Sequence, residues 1–365
     1  MLAVSYGMIL TRDSEWAAAA LRAIGAQGLE SELLLVLNEA DEEMRALAQA
    51  TDGARILHDG VDVGVIYGWN LVFREAQAER VCIVHEDCEP QPGCVSRLIA
   101  TLDERHDAAA VCPAMHLPDG LTHCGAWLWS DGAVTRAPRQ PEWTLIPVDG
   151  APSACLVLER EAARAVGGYD PALFPGVYAD FSLSKRLWAA GWTVLCDARA
   201  EAVHRTGAMV DRVRGPRRSE RFRQFLIDRN RALVQRAWSD LLAEQVVRAD
   251  PHDARNPSAD ELAAAAALTE GRERRAMAAG PPRPGPDALD LPRDLEAHVT
   301  ALRRDLEDEL LDQLIRHEAE QAAELERVHR AYAELWEDRD RLHRGYTELL
   351  SERQLRPAET TGSTA

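Results

Sequence analysis

Over the first 240 residues or so, continuous apolar runs alternate with stretches in which apolar residues recur every three or four positions. The runs, such as residues 31–37 (SELLLVL), predict strands covered on both faces. The other stretches, such as residues 14–24, predict amphipathic helices. The predicted order is strand 3–10, helix 14–24, strand 31–37, helix 41–49, strand 55–58, helix 65–78 and strand 80–84. Such alternation predicts a doubly wound α/β fold with a mainly parallel sheet.

Further along, the pattern changes to shorter segments. A helix at residues 95–102 is followed by short strands, with a hairpin turn near residues 130–132 (SDG). The later elements are strand 153–158, helices 161–166 and 182–190, strand 193–196 and an amphipathic helix at 219–238. We expect this last helix to close one large domain, residues 1–240.

Beyond residue 250 the composition shifts to Ala, Glu, Arg, Asp and Leu. We expect a linker at 241–291 with a short helical segment, since its Pro/Gly-rich end at 279–291 cannot be helical. Residues 292–355 predict a coiled-coil helix, because apolar residues follow 3,4 spacing at Leu325, Val328, Leu335 and Leu342. A phase slip near Leu310 leaves two alternatives, a coiled coil with a stutter or a helical hairpin. Residues 356–365 predict a disordered tail.

Charge and cysteine content narrow the class of protein. The formal net charge of −18 argues against nucleic acid as a general partner, because phosphate binding needs a basic surface. The seven cysteines are an odd number without a CxxC motif, which indicates reduced, buried thiols. No apolar stretch approaches the ~20 residues of a transmembrane helix. We therefore expect a cytoplasmic protein that touches a membrane at most peripherally.

Carboxylates concentrate where the predicted strands end. In a parallel sheet, ligands bind beyond the carboxyl ends of the strands. The segments that follow the first four strands are TRDSE, NEADEE, DGVDVG and HEDCEP, and three of them are rich in carboxylates. Such loops hold hard divalent cations against phosphates.

Residues 81–93 (VCIVHEDCEPQPG) run from an apolar strand through acidic residues to a Pro-rich turn. This string resembles the metal-binding corner of the family-two glycosyltransferases, which have the GT-A fold, and His85, Glu86 and Asp87 fall on the Asp-x-Asp motif. The resemblance implies that Asp87, with His85, binds Mn²⁺ or Mg²⁺ and that Glu86 contacts the nucleotide sugar. The alternative is an acidic loop that caps the following helix.

Two later segments extend the resemblance. Residues 153–170 (SACLVLEREAARAVGGYD) and 174–191 (FPGVYADFSLSKRLWAAG) are similar to the family's glycine turn and acceptor loop, and Asp180 matches the catalytic base. Asp180 could instead be the N-cap of the next helix. Residues 202–205 (AVHR) resemble the segment whose histidine completes the metal site, which implies a metal ligand at His204; a structural histidine is the alternative.

The amino-terminal part supplies nucleotide-binding candidates. The resemblance implies that Asn38 and Asp41 hold the nucleoside and that Asp62 and Asn70 lie beneath it, although Asn70 could equally stabilise its own loop. Trp127 and Trp129 could stack on a sugar or pack in the core. Residues 228–230 (DRN) resemble an Arg-Asn pair of the family.

The sequence also departs from the family pattern, at four positions where the family has acidic residues: Leu37, His85, Ala179 and Ser182. The resemblance, over residues 4–238, implies inverting, metal-assisted transfer of a hexose or deoxyhexose. The donor would be a UDP- or dTDP-sugar and the acceptor a hydroxyl of a glycan or lipid-linked intermediate, in cell-surface polysaccharide biosynthesis. The departures leave an alternative, a non-catalytic module that binds a nucleotide or glycan. The coiled coil would form a homodimer or recruit a partner.

Overall fold

The computed structural model describes residues 2–11, 13–205, 216–248 and 257–355; the predicted tail at 356–365 lies outside them. The chain divides into two units, Met1–Leu302 and Arg303–Ala365. The strands are β1 (Val4–Leu10), β2 (Ser31–Asn38), β3 (Ala54–Gly60), β4 (Arg80–Val84), β5 (Cys88–Pro90), β6 (Ala108–His116), β7 (Thr122–Leu128), β8 (Val134–Pro138), β9 (Leu145–Pro147), β10 (Cys155–Glu159) and β11 (Thr193–His204). The helices are α1 (Ser14–Gly25), α2 (Glu42–Ala50), α3 (Gly64–Glu75), α4 (Cys94–Glu104), α5 (Arg160–Ala165), α6 (Ala179–Ala189), α7 (Pro216–Ala237), α8 (Ser239–Ala243), α9 (Ala259–Ala279) and α10 (Leu295–Leu355).

A mixed, mainly parallel sheet forms the centre of the first unit, with the strand order β3-β2-β1-β4-β10-β6-β11-β5. Strands β3, β2, β1 and β4 are parallel neighbours. Strand β10 is antiparallel to both β4 and β6, and β11 is parallel to β6. Six of the seven long central strands therefore point the same way, and the predicted fold class is confirmed.

Helices cover both faces of this sheet, as the continuous apolar strands predict. On one face, Tyr6 and Met8 of β1 belong to a buried cluster with Ala17 of α1, Met44 of α2 and Val95 of α4. The opposite face packs on α3. There the glycines are needed for close approach: a Cβ at Gly7 would lie 2.6 Å from Val72, and one at Gly68 the same distance from Ile9.

The predicted hairpin is present, since β7 and β8 pair as antiparallel neighbours on either side of Gly132. Its two tryptophans are core residues: Trp127 and Trp129 are both buried, and Trp129 Nε1 donates to Thr135 Oγ1 at 2.7 Å. Of the two predicted roles, stacking on a sugar or packing in the core, the structure therefore shows core packing for both tryptophans. Strand β11 extends from Thr193 to His204, well past the predicted end at residue 196.

The described parts of the segment 241–302 pack on the sheet domain. The 21-residue helix α9 forms two ion pairs with it, from Arg272 to Asp149 and from Glu273 to Arg105. Further on, His298 Nε2 lies 2.8 Å from Tyr67 Oη, and Val299 is fully buried.

The second unit is helical in its described part, as the carboxyl-terminal portion of α10. Because α10 is one continuous helix from Leu295 to Leu355, the helical-hairpin alternative is wrong. Among the described residues, no helix has both the length and the apolar character needed to cross a membrane.

Candidate metal and acceptor site

The site begins where β4 ends. Strand β4 runs to Val84, so His85, Glu86 and Asp87 stand at its carboxyl end, as predicted. The antiparallel neighbour β10 starts at the same edge, where His85 N donates to Ala154 O at 2.9 Å. This places Ser153 beside His85, and His85 Nε2 and Ser153 Oγ are hydrogen-bonded at 3.1 Å.

A short strand pairing brings in the second histidine. Strand β5 pairs with the end of β11, with His204 opposite Cys88. The backbone N of Arg205 donates to Asp87 O at 2.9 Å. His204 Nε2 consequently lies 3.3 Å from Asp87 Oδ1. The distant His204 therefore meets His85 and Asp87, the other two predicted metal ligands.

These three side chains fit a divalent cation. His85, Asp87 and His204 each offer one possible ligand atom, and these three atoms all lie within 4.8 Å of one another. Two imidazole nitrogens and a carboxylate oxygen suit Mn²⁺, and three protein ligands leave positions of an octahedral ion for the oxygens of a phosphate. The alternative in which the acidic loop caps the next helix is wrong, because the N-cap of α4 is Gly93.

The protonation of the site favours metal binding. Burial lowers the pKa of His85 to about 4, so its imidazole is neutral near pH 7, as a ligand must be. Burial alone would raise the pKa of Asp87, but the close contact with His204 brings it below its ordinary value. Asp87 is therefore ionised. Trp69 fixes the His85 ring by stacking on it, with centroids 5.8 Å apart and planes inclined by 13°.

Asp180 stands next to this group in the first turn of α6. Burial raises the pKa of Asp180, whereas the nearby Ser153 and His204 act in the opposite direction. The N-cap alternative is wrong, since α6 begins at Ala179 and its N-cap is Tyr178. Ser153 thus bonds the predicted ligand His85 and lies near enough to the predicted base to influence its pKa.

The nucleoside candidates lie at the ends of β2 and β3. Asn38 Oδ1 accepts from Val63 N at 3.1 Å, and Asp62 Oδ1 accepts from Gly64 N at 2.8 Å. Together these bonds shape the turn into α3. Asp41 caps α2 by accepting from Met44 N at 2.9 Å. All three side chains therefore support the loops at this edge of the sheet.

Asn70 and Glu86 are bonded within the domain. The amide of Asn70 accepts from Tyr169 N and donates to Tyr169 O, both at 2.9 Å. Asn70 therefore stabilises the glycine turn, which agrees with the predicted alternative of a structural role in a loop. Both carboxylate oxygens of Glu86 accept from Thr11, one of them from the backbone N at 2.7 Å. Burial raises the pKa of Glu86 to about 7, although the bonds from Thr11 lower it.

Two residues that contact the ligands had no signal in the sequence. Ser153 is an isolated serine before a strand, and Trp69 is one apolar residue among many in a helix. Only the antiparallel insertion of β10 beside β4 reveals that Ser153 reaches His85.

Comparison with known proteins finds a family match in the amino-terminal part. Residues 10–163 match the family model described as Glycosyl transferase family 2. The O-antigen biosynthesis protein RfbC of Myxococcus xanthus is 26% identical over 153 residues, which cover 38% of this chain and 12% of that protein. The uncharacterized protein y4gI of Sinorhizobium fredii is 26% identical over 172 residues, covering 42% and 18%. The chain thus spans less than a fifth of the length of these relatives.

Two solved structures are similar at low identity. GalNAc-T7 with UDP, GalNAc and Mn²⁺ has a TM-score of 0.48 and 14% identity, over 56% of this chain and 44% of that one. The mannosyltransferase PcManGT of Pyrobaculum calidifontis, with GDP-Man and Mn²⁺, has a TM-score of 0.46 and 16% identity, over 76% and 74%. The family match, together with the mixed sheet described above, supports a glycosyltransferase family-two fold for residues 10–163.

Proposed function

We propose that the protein transfers a sugar from a nucleotide-sugar donor to an acceptor hydroxyl, with inversion and with help from a bound divalent cation. The observation that carries this proposal is the placement of Asp180 beside the group formed by His85, Asp87 and His204. A cation-binding group next to a carboxylate base is what displacement of a nucleoside diphosphate by a hydroxyl requires.

Asp180 is the proposed general base. It lies near Ser153 and near His204 of the metal-binding group, and both act on its pKa. Burial raises that pKa, which strengthens the carboxylate as a proton acceptor. It would accept the proton of the acceptor hydroxyl as the oxygen attacks the anomeric carbon on the face opposite the diphosphate.

Asp87, His204 and His85 are the proposed metal ligands, for Mn²⁺ or Mg²⁺. When bound, the cation would stabilise the negative charge that builds on the leaving diphosphate. Ser153 and Trp69 hold the His85 ring. Its other nitrogen, Nδ1, lies 3.9 Å from Asp87 Oδ1, so the ring would not have to turn to bind a cation there.

The loops at the ends of β2 and β3 are the proposed nucleoside site. Asn38, Asp41 and Asp62 would shape these loops around the nucleoside, and Asn70 and Glu86 would support them from below. The proposed donor is a UDP- or dTDP-sugar that carries a hexose or deoxyhexose. The acceptor would be a glycan or lipid-linked intermediate of a cell-surface polysaccharide, reached from the cytoplasm.

We also propose that α10 pairs with a second copy as a coiled coil. Its apolar positions Leu325, Val328, Leu335 and Leu342 are all about half exposed or more in the single chain. They follow the 3,4 spacing that buries such a stripe against another helix.

Release of nucleoside diphosphate from a panel of UDP-, dTDP- and GDP-sugars tests the proposed activity. The panel is run with Mn²⁺ and with a chelator, because slow transfer to water reveals the preferred donor without the acceptor. Asp180→Asn and Asp87→Ala are compared with the wild type. Asp103→Asn is the control, since Asp103 is exposed and pairs with Arg80 away from the site.

Metal-dependent release that both site variants lose, and the control keeps, would establish the enzyme. Neither release nor metal-dependent nucleotide binding by the wild type would contradict the proposal. It would favour the alternative, a glycan-binding or nucleotide-binding module without catalysis, which the acidic positions now held by His85, Ala179 and Ser182 suggest.

A further inference from the structure

Asp180 follows a loop, residues 173–178, that begins at the end of a short 3-10 helix, Pro171–Leu173, and leads directly into α6. Contacts with three other elements hold this loop. Since Asp180 is only two residues beyond it, these contacts determine where the carboxylate stands.

Asn230 of α7 joins the two ends of the loop. Its Nδ2 donates to Leu173 O at 3.0 Å and to Val177 O at 2.9 Å, and the side chain is fully buried. Its Oδ1 accepts from Arg229 at 2.8 Å, which orients the amide. One side chain therefore satisfies a carbonyl at each end of the loop and fixes the separation of those ends.

Tyr178 makes the second contact at the last position of the loop. Its backbone is in the left-handed region, with φ of 69° and ψ of 6°, which side chains other than glycine rarely adopt. Its hydroxyl donates to Gly132 O at 2.8 Å, in the turn of the β7–β8 hairpin. This bond holds a conformation that would otherwise relax and rotate the first turn of α6.

The third contact comes from α3. Val65 N donates to Pro175 O at 3.0 Å, and Gly176 packs so closely on the Val65 side chain that a Cβ would collide with it. Helix α3 starts at Gly64, directly after the turn shaped by Asn38 and Asp62. The middle of the loop is thus anchored to the start of α3, and its two ends are anchored to α7.

We infer that Asn230 is a positioning residue for the base, and that it acts by holding the 173–178 loop so that Asp180 reaches the acceptor hydroxyl. This inference rests on the proposed function for the identity of the base. Asn230 contacts backbone carbonyls of the loop and none of the predicted metal ligands, so donor binding should not depend on it.

A double-mutant cycle between Asn230 and Asp180 tests the inference. Asn230→Ala should lower kcat for transfer by about 10- to 100-fold, the range for a misplaced catalytic group. The dissociation constant of the donor with Mn²⁺ should stay within about twofold of wild type. In an Asp180→Asn background the same substitution should change turnover by less than about twofold, because residues that act as a unit are not additive.

The matched control is Gln224→Ala, on the exposed side of the same helix, where Gln224 bonds only Asp228 within α7. Amide hydrogen exchange of residues 173–179 is measured in parallel and needs no turnover. Faster exchange there in Asn230→Ala, with the sheet unchanged, is expected.

The two possible failures can be distinguished. A wild type without turnover, or one that Asp180→Asn leaves unaffected, contradicts the proposed function. If Asp180→Asn is inactive as proposed, a full additional loss from Asn230→Ala in that background, or weakened donor binding, overturns the inference. Unchanged exchange in residues 173–179 overturns it whatever the activity assay gives.

Discussion

His85 stands where the family pattern has an aspartate, and its environment is adapted to an imidazole. The ring stacks on Trp69 and bonds Ser153, and burial lowers its pKa to about 4. An aspartate here would add a second negative charge to the site beside Asp87. The substitution therefore exchanges a hard, charged ligand for a neutral nitrogen.

This exchange predicts a preference among metals. Imidazole nitrogen binds Mn²⁺ more readily than Mg²⁺, which strongly prefers oxygen ligands. We expect Mn²⁺ to support donor binding at lower concentration than Mg²⁺, and His85→Asp to reduce or reverse this preference. Metal titrations of donor binding by calorimetry measure both effects. An unchanged preference in His85→Asp would exclude His85 as a ligand.

Ser153 is expected to act through His85. Ser153→Ala removes the bond to His85 Nε2 and should weaken Mn²⁺ binding by about 10- to 100-fold, as is typical when the partner of a metal-binding histidine is lost. Calorimetric titration with Mn²⁺ measures the effect. Ser14→Ala, which removes only an exposed bond to Glu43, is the control and should bind as wild type. Equal affinities in all three proteins would refute the role of Ser153.

At the scale of elements, β11 carries His204 to the site because the strand bends. Its register with β6 shifts between Asp197 and Glu201. Asp197, fully buried, closes this bulge: its oxygens accept from Arg199 at 2.8 Å, Arg97 at 2.9 Å and Thr101 at 2.6 Å. Helix α4 is thereby tied to the strand that bears a proposed ligand.

Asp197 should make stability depend on pH. Burial alone would raise its pKa, but the bonds from Arg199, Thr101 and Arg97 bring it below the ordinary value. Its stabilising contribution is therefore present above about pH 4 and is lost as the pH falls through the lowered pKa. Asp197→Asn should lower the free energy of unfolding at pH 7 by on the order of 2–3 kcal/mol, and the difference from wild type should shrink toward pH 3.

Urea denaturation at pH 7, 4 and 3 measures this dependence, with Asp103→Asn as the control for loss of an exposed carboxylate. If the difference in free energy of unfolding between Asp197→Asn and wild type stays constant from pH 7 to 3, the pKa of Asp197 is not lowered in the folded protein.

Elements with strong local patterns were predictable from the sequence, and contacts between distant elements were not. Strand β4 has the predicted bounds because its apolar run ends abruptly at His85. Helix α6 starts three residues before the predicted position, because Tyr178 adopts a left-handed conformation that no local pattern signals. The motif positions of Asp87, His204 and Asp180 indicated the candidate site from the sequence. Ser153 contacts His85 only because the order of the strands places β10 beside β4.

For the whole molecule, the central expectation is self-association through α10. Leu335 and Leu342 are 66% and 75% exposed in the single chain and lie seven residues apart. Leu335→Glu together with Leu342→Glu should convert a dimer into a monomer in sedimentation experiments, because charged residues cannot be buried in the seam. Ala333→Glu adds a charge outside the stripe and should leave the dimer intact. A wild type that sediments as a monomer would contradict the proposed pairing.

In the proposed enzyme, metal and donor binding and the proton transfer to the base are carried by separate residues of one site. The most direct test measures donor binding and single-turnover release of nucleoside diphosphate, with Mn²⁺, for wild type, Asp180→Asn and Asp87→Ala. We predict that Asp180→Asn binds the donor as wild type does but releases diphosphate at least about 100-fold more slowly, within the usual range for general-base catalysis. Asp87→Ala should fail to bind in a metal-dependent manner. Release by Asp180→Asn at the wild-type rate would contradict the account.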